Sequence, residues 1–310
     1  MGIFWERSRV LILKAIDEVG KAILGKEHEI RMATACLMAQ GSLLIEDLPG
    51  MGKTSLSKAL SRVFGLSYQR IQFTSDLLPA DIIGVSIFDK NSADFVFKSG
   101  PIFSQLILAD EINRASPKTQ SALLEAMEEK QVTVDGVTRR LPELFFVIAT
   151  QNPSSQMGTF PLPESQLDRF LMRIHLGYPS AEAEKALLMG KADSVADVKA
   201  IVNHEELAKL QHQVTQVHLS EPLVDYILRL VHATRQRGHF VCGMSPRGSS
   251  ALARSAKAWA MIDGRDFVLP EDVQAILPAV LDHRVYVNSA QYGDKGEAAS
   301  KILLSRISVG

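Results

Sequence analysis

The fold follows from residues 43–55, which read Leu-Leu-Ile-Glu-Asp-Leu-Pro-Gly-Met-Gly-Lys-Thr-Ser. The apolar start predicts a strand, the glycine-rich middle predicts a turn, and the pattern after Lys53 predicts a helix. Small residues let backbone N–H groups curl around phosphates, and a lysine at this point reaches the β- and γ-phosphates of a nucleoside triphosphate. The helix also directs the positive end of its dipole at these phosphates. The stretch therefore predicts a phosphate-binding loop.

The loop supplies the candidate nucleotide contacts, and the hydroxyl group of Thr54 is also a candidate ligand of Mg²⁺. The contacts are Pro49, Gly50, Met51, Gly52, Lys53, Thr54 and Ser55. The general pattern G-x-x-x-x-G-K-[ST] has glycine where this chain has Asp47. A Gly-Lys-Thr turn that arose by chance is therefore the alternative, and further segments have to decide between the two.

Two carboxylates follow the apolar residues 106–109. Four apolar residues in succession are typical of a parallel strand that is buried on both faces. Open α/β sheets bind ligands at the carboxyl ends of their strands, where the phosphate loop also lies. We therefore expect Asp110 to act on the Mg²⁺ shell and Glu111 to orient or deprotonate the attacking water. The alternative is that these two residues cap the helix predicted to begin near Pro117.

A second apolar run, residues 145–149, also ends in polar residues, of which Asn152 is the most informative. The amide of Asn152 could donate to the γ-phosphate and to the attacking water. The alternative is a turn before Pro153, which is the usual role of an Asn-Pro dipeptide. Three polar strand ends that all suit one triphosphate favour an ATPase.

These segments resemble the motifs of the MoxR family of AAA+ ATPases. The resemblance runs from about residue 20 to the C-terminus and is carried by residues 46–54, 109–115, 149–153, 162–170 and 245–247. The acidic residue at position 47 is familiar from that family, so the departure from the general loop pattern favours this assignment. The resemblance implies that the Lys53 loop is Walker A, that Asp110 and Glu111 are Walker B, and that Asn152 is sensor 1.

The resemblance also implies roles for two arginines that spacing alone would not single out. Arg169 matches the arginine finger that a neighbouring subunit inserts against the γ-phosphate. Arg247 matches sensor 2, which a small helical lid carries to the phosphate. A planar guanidinium suits the charge that spreads over the phosphoryl oxygens during transfer. The alternative for Arg169 is an ordinary salt-bridge residue.

Composition favours a cytoplasmic protein with a sizeable core. Apolar residues make up 46% of the 310, the formal net charge is −1, and the mean hydropathy is near zero. No window approaches the length of an uninterrupted apolar spanning helix, so we expect no membrane insertion. We also expect no nucleic-acid binding, because no long run of one charge is present. The two cysteines, Cys36 and Cys242, have no metal or redox spacing and are expected to be free thiols.

The pattern along the chain predicts a two-domain α/β architecture. Residues 1–177 are expected to form a P-loop AAA+ domain with a parallel five-stranded sheet and two inserted β-hairpins, at residues 84–98 and 131–140. Residues 178–310 are expected to form an all-α lid of four or five helices, since the pattern becomes wholly helical after Pro179.

Two functions are compatible with these residues. The first is Mg²⁺-dependent ATP hydrolysis in a homo-oligomeric ring, which the resemblance implies is a hexamer. Such a ring would remodel a client protein, assist its maturation or insert a metal cofactor into it. Similar proteins often work with von Willebrand factor A domain partners. The second is a nucleotide-gated assembly or regulatory module with negligible turnover. The first is favoured by the joint presence of Asp110, Glu111, Asn152 and Arg169, because a pure switch would not need the water-activating Glu111. A DNA-loading AAA+ protein is a weaker third possibility.

Overall fold

A parallel sheet forms the centre of the N-terminal part of the chain in the computed structural model, which describes residues 2–91, 93–153, 158–236, 238–288 and 298–309. Its strands are β1 (Leu43–Glu46), β2 (Tyr68–Gln72), β5 (Leu106–Asp110), β8 (Phe146–Gln151) and β9 (Met172–Ile174). The strand order is β2-β5-β8-β1-β9, and every neighbouring pair is parallel. The predicted five-stranded parallel sheet is therefore confirmed.

The two apolar strands predicted to be buried on both faces lie inside the sheet. Successive side chains of β5 and β8 enter different hydrophobic clusters, because side chains alternate across a strand. One cluster contains Leu106, Leu108, Phe146 and Ile148, and the other contains Ile107, Ala109, Val147 and Ala149. Burial on both sides explains why these strands read as continuous apolar runs.

Helices cover both faces of this sheet. They are α1 (Gly2–Ala22), α2 (Glu27–Met38), α3 (Lys53–Val63), α4 (Pro79–Ile83), α5 (Pro117–Glu129) and α6 (Glu164–Leu167). The start of α5 follows from local chemistry: Ser116 Oγ accepts a hydrogen bond from the backbone N–H of Thr119, and Pro117 occupies the first helical position.

Both predicted hairpins are present. The first pairs β3 (Gly84–Asp89) with β4 (Asp94–Ser99), and the second pairs β6 (Gln131–Val134) with β7 (Val137–Arg140), each antiparallel. The turn of the second hairpin has positive φ values of 52° at Asp135 and 75° at Gly136. Positive φ at both central positions belongs to the tight turn that Asp-Gly favours between two strands.

The C-terminal part is helical, as predicted. Its helices are α7 (Ala181–Leu188), α8 (His204–Gln216), α9 (Glu221–Arg235), α10 (Pro246–Ile262), α11 (Pro270–Leu281) and α12 (Ala299–Arg306). The last of these was not predicted, because eight residues make a helix that is marginal on its own. Tertiary contacts stabilise α12: Ser300 donates from its N–H to Asp282 Oδ1 at 2.8 Å and from its hydroxyl to Oδ2 at 2.7 Å.

The first two helices pack against the helical part as well as against the sheet. Arg31 of α2 forms an ion pair with Asp263 at 2.5 Å, and its guanidinium lies 4.8 Å from the centre of the Trp259 ring. The predicted boundary near residue 178 stays a prediction. Within the described ranges, none of the helices has both the length and the apolar character needed to cross a bilayer.

Candidate functional site

The phosphate loop forms one wall of a cavity of about 330 Å³ at the carboxyl end of β1. The described residues that line this cavity are Pro49, Gly50, Gly52, Lys53, Thr54, Ser55, Asp110, Glu111 and Asn152. The structure thus brings the three predicted strand ends together. Met51, which we expected among the nucleotide contacts, packs against the larger hydrophobic cluster and does not line the cavity.

Two glycines give the loop its shape. Gly50 and Gly52 have φ values of +85° and +89°, a region that other L-residues rarely adopt. A Cβ atom at either position would meet no heavy atom within 4 Å, so the requirement is conformational and not one of space. Gly52 immediately precedes α3, whose first backbone N–H groups therefore face the cavity as an anion-binding helix start.

Lys53 is held at the centre of the cavity. Its Nζ donates to the backbone carbonyl of Asp47 at 2.6 Å and to Asn152 Oδ1 at 3.1 Å. Burial lowers the pKa of Lys53, and the neighbouring charges of Asp47, Asp110 and Glu111 oppose that shift. The amine is thus placed between the loop and two strand ends, where a β- or γ-phosphate oxygen can accept from it.

Asp47, where the general loop pattern has glycine, has a structural partner. Its carboxylate accepts hydrogen bonds from the backbone N–H groups of Leu176 and of Gly177, the latter at 3.2 Å. These two residues follow β9, so the side chain ties the start of the loop to the end of the edge strand. A glycine could not make this connection.

The Asp110 carboxylate is fully engaged. Its Oδ1 accepts from the Thr150 hydroxyl at 2.6 Å, and its Oδ2 accepts from Arg70 Nε at 3.0 Å and Nη2 at 2.7 Å. Sequence reasoning missed both partners. The register Gln72↔Asp110 between β2 and β5 places this part of β2 beside the carboxylates, and that pairing cannot be read from either strand alone.

Glu111 lies at the same strand end with an unusual backbone. Its φ is +57°, in the left-handed region that is uncommon for a residue other than glycine. Glu111 Oε2 accepts from Gln72 Nε2 at 3.0 Å and from Arg114 Nη1 at 3.2 Å, and Oε1 accepts from Asn152 Nδ2 at 3.3 Å. The carboxylate therefore faces the cavity but is shared among three donors.

The donors in the cavity fit Mg²⁺ bound together with a nucleotide. Thr54 and Asp110 provide a hydroxyl and a carboxylate oxygen, which are hard ligands, and they line the same cavity as the loop. Among the described residues, no three His, Cys, Asp or Glu side chains cluster in a way that could hold a metal. Mg²⁺ usually takes one or two protein ligands together with substrate phosphates and water, so a hydroxyl and a carboxylate oxygen are enough for it.

Arg169 and Arg247 lie together, but away from this cavity. Arg169 Nη1 donates to the Leu124 carbonyl at 2.9 Å and forms an ion pair with Glu128 at 3.1 Å. Arg247 forms its own ion pair with Glu128 and lies 3.9 Å from Asp168. Both arginines line a second cavity of about 210 Å³, which also touches Gly41, Ser42 and Leu171.

This second cavity marks the opposite edge of the sheet. Gly41 and Ser42 precede β1, and Leu171 precedes β9, so the cavity lies at the amino ends of these strands. The phosphate loop follows the carboxyl end of β1, about 13 Å along a four-residue strand. Arg247 therefore lies away from the phosphate loop of its own chain, and its predicted contact with a phosphate stays a prediction. Because helix α10 packs on α2 and α11, its first residues, which include Arg247, lie at the amino ends of the strands.

Both parts of the chain are similar to known proteins. The pattern of the family described as "ATPase family associated with various cellular activities (AAA)" matches residues 42–172, and that of "AAA lid domain" matches residues 232–303. Protein YeaC of Bacillus subtilis, itself uncharacterised, is 43% identical over 96% of this chain and 95% of its own length. Chaperone MoxR1 of Mycobacterium tuberculosis is 38% identical over 95% of this chain and 80% of its own length.

Solved structures agree with these sequence matches. The crystal structure of a Cytophaga hutchinsonii protein assigned as an ATPase superposes with a TM-score of 0.88 and 39% sequence identity. The match covers 97% of this chain and 94% of that protein. The similarity thus includes the sheet, both hairpins and the helical part.

Proposed function

Because the chain belongs to the MoxR family of AAA+ ATPases, we propose that it hydrolyses ATP at interfaces between copies of itself and thereby remodels a client protein. ATP hydrolysis follows from membership of the family, and a chaperone-like role follows from its MoxR relatives. Beyond this, we propose which residues act, that Mg²⁺ takes part, that copies of the chain form a ring, and what kind of client protein they act on.

The position of two arginines carries the proposal. Arg169 and Arg247 lie at the amino ends of the strands, whereas Lys53 lies at the carboxyl end of β1. One chain therefore presents a phosphate loop at the carboxyl ends of the strands and two arginines at their amino ends. A head-to-tail interface between copies joins these two surfaces, and such an interface, repeated, closes into a ring. We propose a hexamer, as the family resemblance implies.

Within this arrangement each residue has one task. Lys53 and the backbone N–H groups of residues 50–55 bind the phosphates, and Thr54 and Asp110 hold Mg²⁺. When bound, Mg²⁺ neutralises charge on the β- and γ-phosphate oxygens. Glu111 orients the attacking water and accepts its proton, and Asn152, already bonded to Glu111, reports the state of the γ-phosphate to β8.

The neighbouring copy completes the site. Arg169, and with it Arg247, stabilises the charge that spreads over the equatorial oxygens during phosphoryl transfer. Both guanidiniums share the Glu128 carboxylate in the single chain. When the interface forms, they exchange this carboxylate for the phosphate of the nucleotide on the neighbouring copy.

The client side of the proposal rests on family resemblance. We propose maturation or metal-cofactor insertion of a client protein, with a von Willebrand factor A domain protein as the adaptor. The two hairpins are the surfaces that we assign to partner contact. A cytoplasmic location stays a prediction.

The experiment is the steady-state ATPase rate per subunit as a function of protein concentration, with Mg²⁺ present and Lys53→Ala as the blank. We expect the specific rate to rise with concentration, because the site is completed between subunits. An Arg169→Ala variant should bind nucleotide normally and lose turnover. Retained turnover in that variant would contradict the assignment of Arg169, and nucleotide binding without turnover in the unmodified chain would favour the nucleotide-gated module.

A further inference from the structure

The second cavity, which we call the cationic cavity, is far more basic than the roles of Arg169 and Arg247 require. Five basic and two acidic side chains line its volume of about 210 Å³. The basic residues are Lys130, Arg169, Arg247, Arg254 and Arg284, and the acidic residues are Glu128 and Asp168. Such an excess of positive charge in a concave site attracts anions.

The two carboxylates are already committed to other partners. Glu128 pairs with Arg169 and Arg247, as described above. Asp168 accepts from Arg284 Nε at 2.8 Å and from the Ser245 hydroxyl at 2.9 Å. Arg284 is almost wholly buried and also donates to backbone carbonyls such as that of Leu171, so its role is structural.

Lys130 and Arg254 are left without a counter-charge. In the described part of the chain, neither has a carboxylate within 4.0 Å. Lys130 Nζ donates to the Phe145 carbonyl at 3.3 Å and lies 5.1 Å from the centre of the Phe145 ring, so its contacts are with uncharged groups. Both residues are exposed to solvent over part of their surface. Partial burial of the charged groups lowers the pKa of each, and the nearby charge of Arg254 lowers that of Lys130 further. Two cations thus face one cavity with no anion between them.

We propose that Lys130 and Arg254 bind the phosphate chain of the nucleotide held by a second copy of this chain, alongside Arg169 and Arg247. This inference rests on the proposed function, because only a head-to-tail interface brings a phosphate loop to the cationic cavity. Lys130 comes from the end of α5 and Arg254 from the third turn of α10. Lys130 thus comes from the same end of α5 as Glu128, and Arg254 comes from the same helix as Arg247.

Phosphate is the ligand that best fits these donors. A guanidinium offers a planar fork that matches phosphate oxygens, and an ammonium acts as a compact point charge beside it. An anion between Lys130 and Arg254 would remove their mutual repulsion as well as supply the missing partner. A free inorganic polyphosphate has the same chemistry, and the experiment below separates the two sources.

The first test uses Lys130→Gln and Arg254→Gln in the full chain. Each loses one charged hydrogen bond to phosphate, so we expect turnover to fall about 10- to 100-fold. Binding of a fluorescent ATP analogue to the dilute chain should be unchanged, because the phosphate loop is intact. Lys257→Gln is the matched control: it lies on the same helix and bonds the Thr215 carbonyl of its own chain. Thermal unfolding checks that all variants fold, and Lys130→Arg should keep most of the activity.

The second test asks whether the residues act on another copy. Lys53→Ala subunits cannot bind nucleotide but keep the cationic cavity, whereas Arg254→Gln subunits bind nucleotide but lack a complete cavity. Mixing the inactive Lys53→Ala protein with the impaired Arg254→Gln protein should raise turnover above that of either alone, because a mixed interface combines one intact half from each. Mixing Lys130→Gln with Arg254→Gln should not restore turnover, since neither protein then supplies an intact cationic cavity.

Three results would overturn the inference. Normal turnover in both Gln variants would remove Lys130 and Arg254 from the site while leaving the proposed function intact. Loss of turnover without recovery in the Lys53→Ala mixture would show that they act within one chain. Binding of tripolyphosphate to Lys53→Ala that Arg254→Gln abolishes, again without recovery in the mixture, would mean a free anion is the ligand. If the unmodified chain has no turnover, the proposed function itself fails first.

Discussion

Glu111 differs in its backbone and its partners from Asp110, which lines the phosphate cavity beside it. The positive φ directs its side chain into the cavity, and Gln72, Arg114 and Asn152 hold both oxygens. Strained backbone at a strand end that also carries catalytic chemistry is a recurring feature of active sites. Glu111 does not act as the helix cap that the sequence left open, because Ser116 caps α5 instead.

We predict that Glu111→Gln binds ATP but hydrolyses it about 100- to 10,000-fold more slowly, because the amide cannot accept a proton from water. Single-turnover hydrolysis and fluorescent-nucleotide binding, measured side by side, test this. Glu129→Gln, at the exposed end of α5, is the control and should resemble the unmodified chain. Equal turnover in Glu111→Gln would assign the water to another residue.

Arg70 competes for the carboxylate that we assign to Mg²⁺. Both of its contacts go to Asp110 Oδ2, and its side chain is 47% exposed. We predict that Arg70→Gln lowers the Mg²⁺ concentration needed for half-maximal ATP binding by about 2- to 5-fold, a small effect because the ion pair is screened. A Mg²⁺ titration of fluorescent-ATP binding measures it, with the exposed Arg62→Gln as the control. A higher Mg²⁺ requirement would mean that Arg70 positions Asp110 instead.

The two hairpins are coupled at the level of the element. The guanidinium of Arg139, on β7, lies 3.9 Å from the centre of the Phe97 ring on β4 and also donates to the Val134 and Val137 carbonyls. Neither hairpin is part of the five-stranded sheet. A contact of this kind lets a displacement of one hairpin alter the other.

We predict that Arg139→Ala loosens the first hairpin by about 0.5–1 kcal/mol, the usual contribution of a solvent-accessible cation–π contact. Hydrogen exchange of residues 84–99 should accelerate accordingly. Arg140→Ala is the matched control, since it removes the same side chain from the next position on β7, which points to the other face. Equal exchange in both variants would show that the hairpins are independent.

Asp168 connects the sheet-bearing part and the helical part of the whole molecule. It ends α6, yet its carboxylate binds Ser245 at the start of α10 and Arg284 just after α11. Arg284 is 3% exposed in its side chain, and burial lowers its pKa while the Asp168 charge opposes that shift. The buried cation thus depends on one carboxylate from the other side of the predicted boundary.

We predict that Asp168→Ala destabilises the fold by about 3–5 kcal/mol, because it leaves a buried charge unpaired. Asp168→Asn keeps one acceptor oxygen and should be intermediate. Urea unfolding of both variants, followed by far-ultraviolet circular dichroism, gives the free energies. A loss below about 1 kcal/mol in Asp168→Ala would show that the backbone carbonyls around Arg284 are sufficient.

Much of the fold was predictable because its signals are local. Apolar runs of four to six residues, the Asp-Gly turn and the serine and proline at the start of α5 each determine structure within a few residues. Helix α12 was missed for the opposite reason. Its stability comes from Ser300 binding Asp282, which lies 18 residues earlier in the sequence.

The local sequence was enough to establish a phosphate loop, three polar strand ends and a helical C-terminal part, since backbone propensity and residue chemistry act at short range. Long-range packing alone established the rest. Strand register places Arg70 and Gln72 beside Asp110 and Glu111. The packing of α10 against α2 and α11 places Arg247 at the amino ends of the strands, away from the phosphate loop. These placements depend on how separate elements pack, and no stretch of residues specifies its distant neighbours by itself.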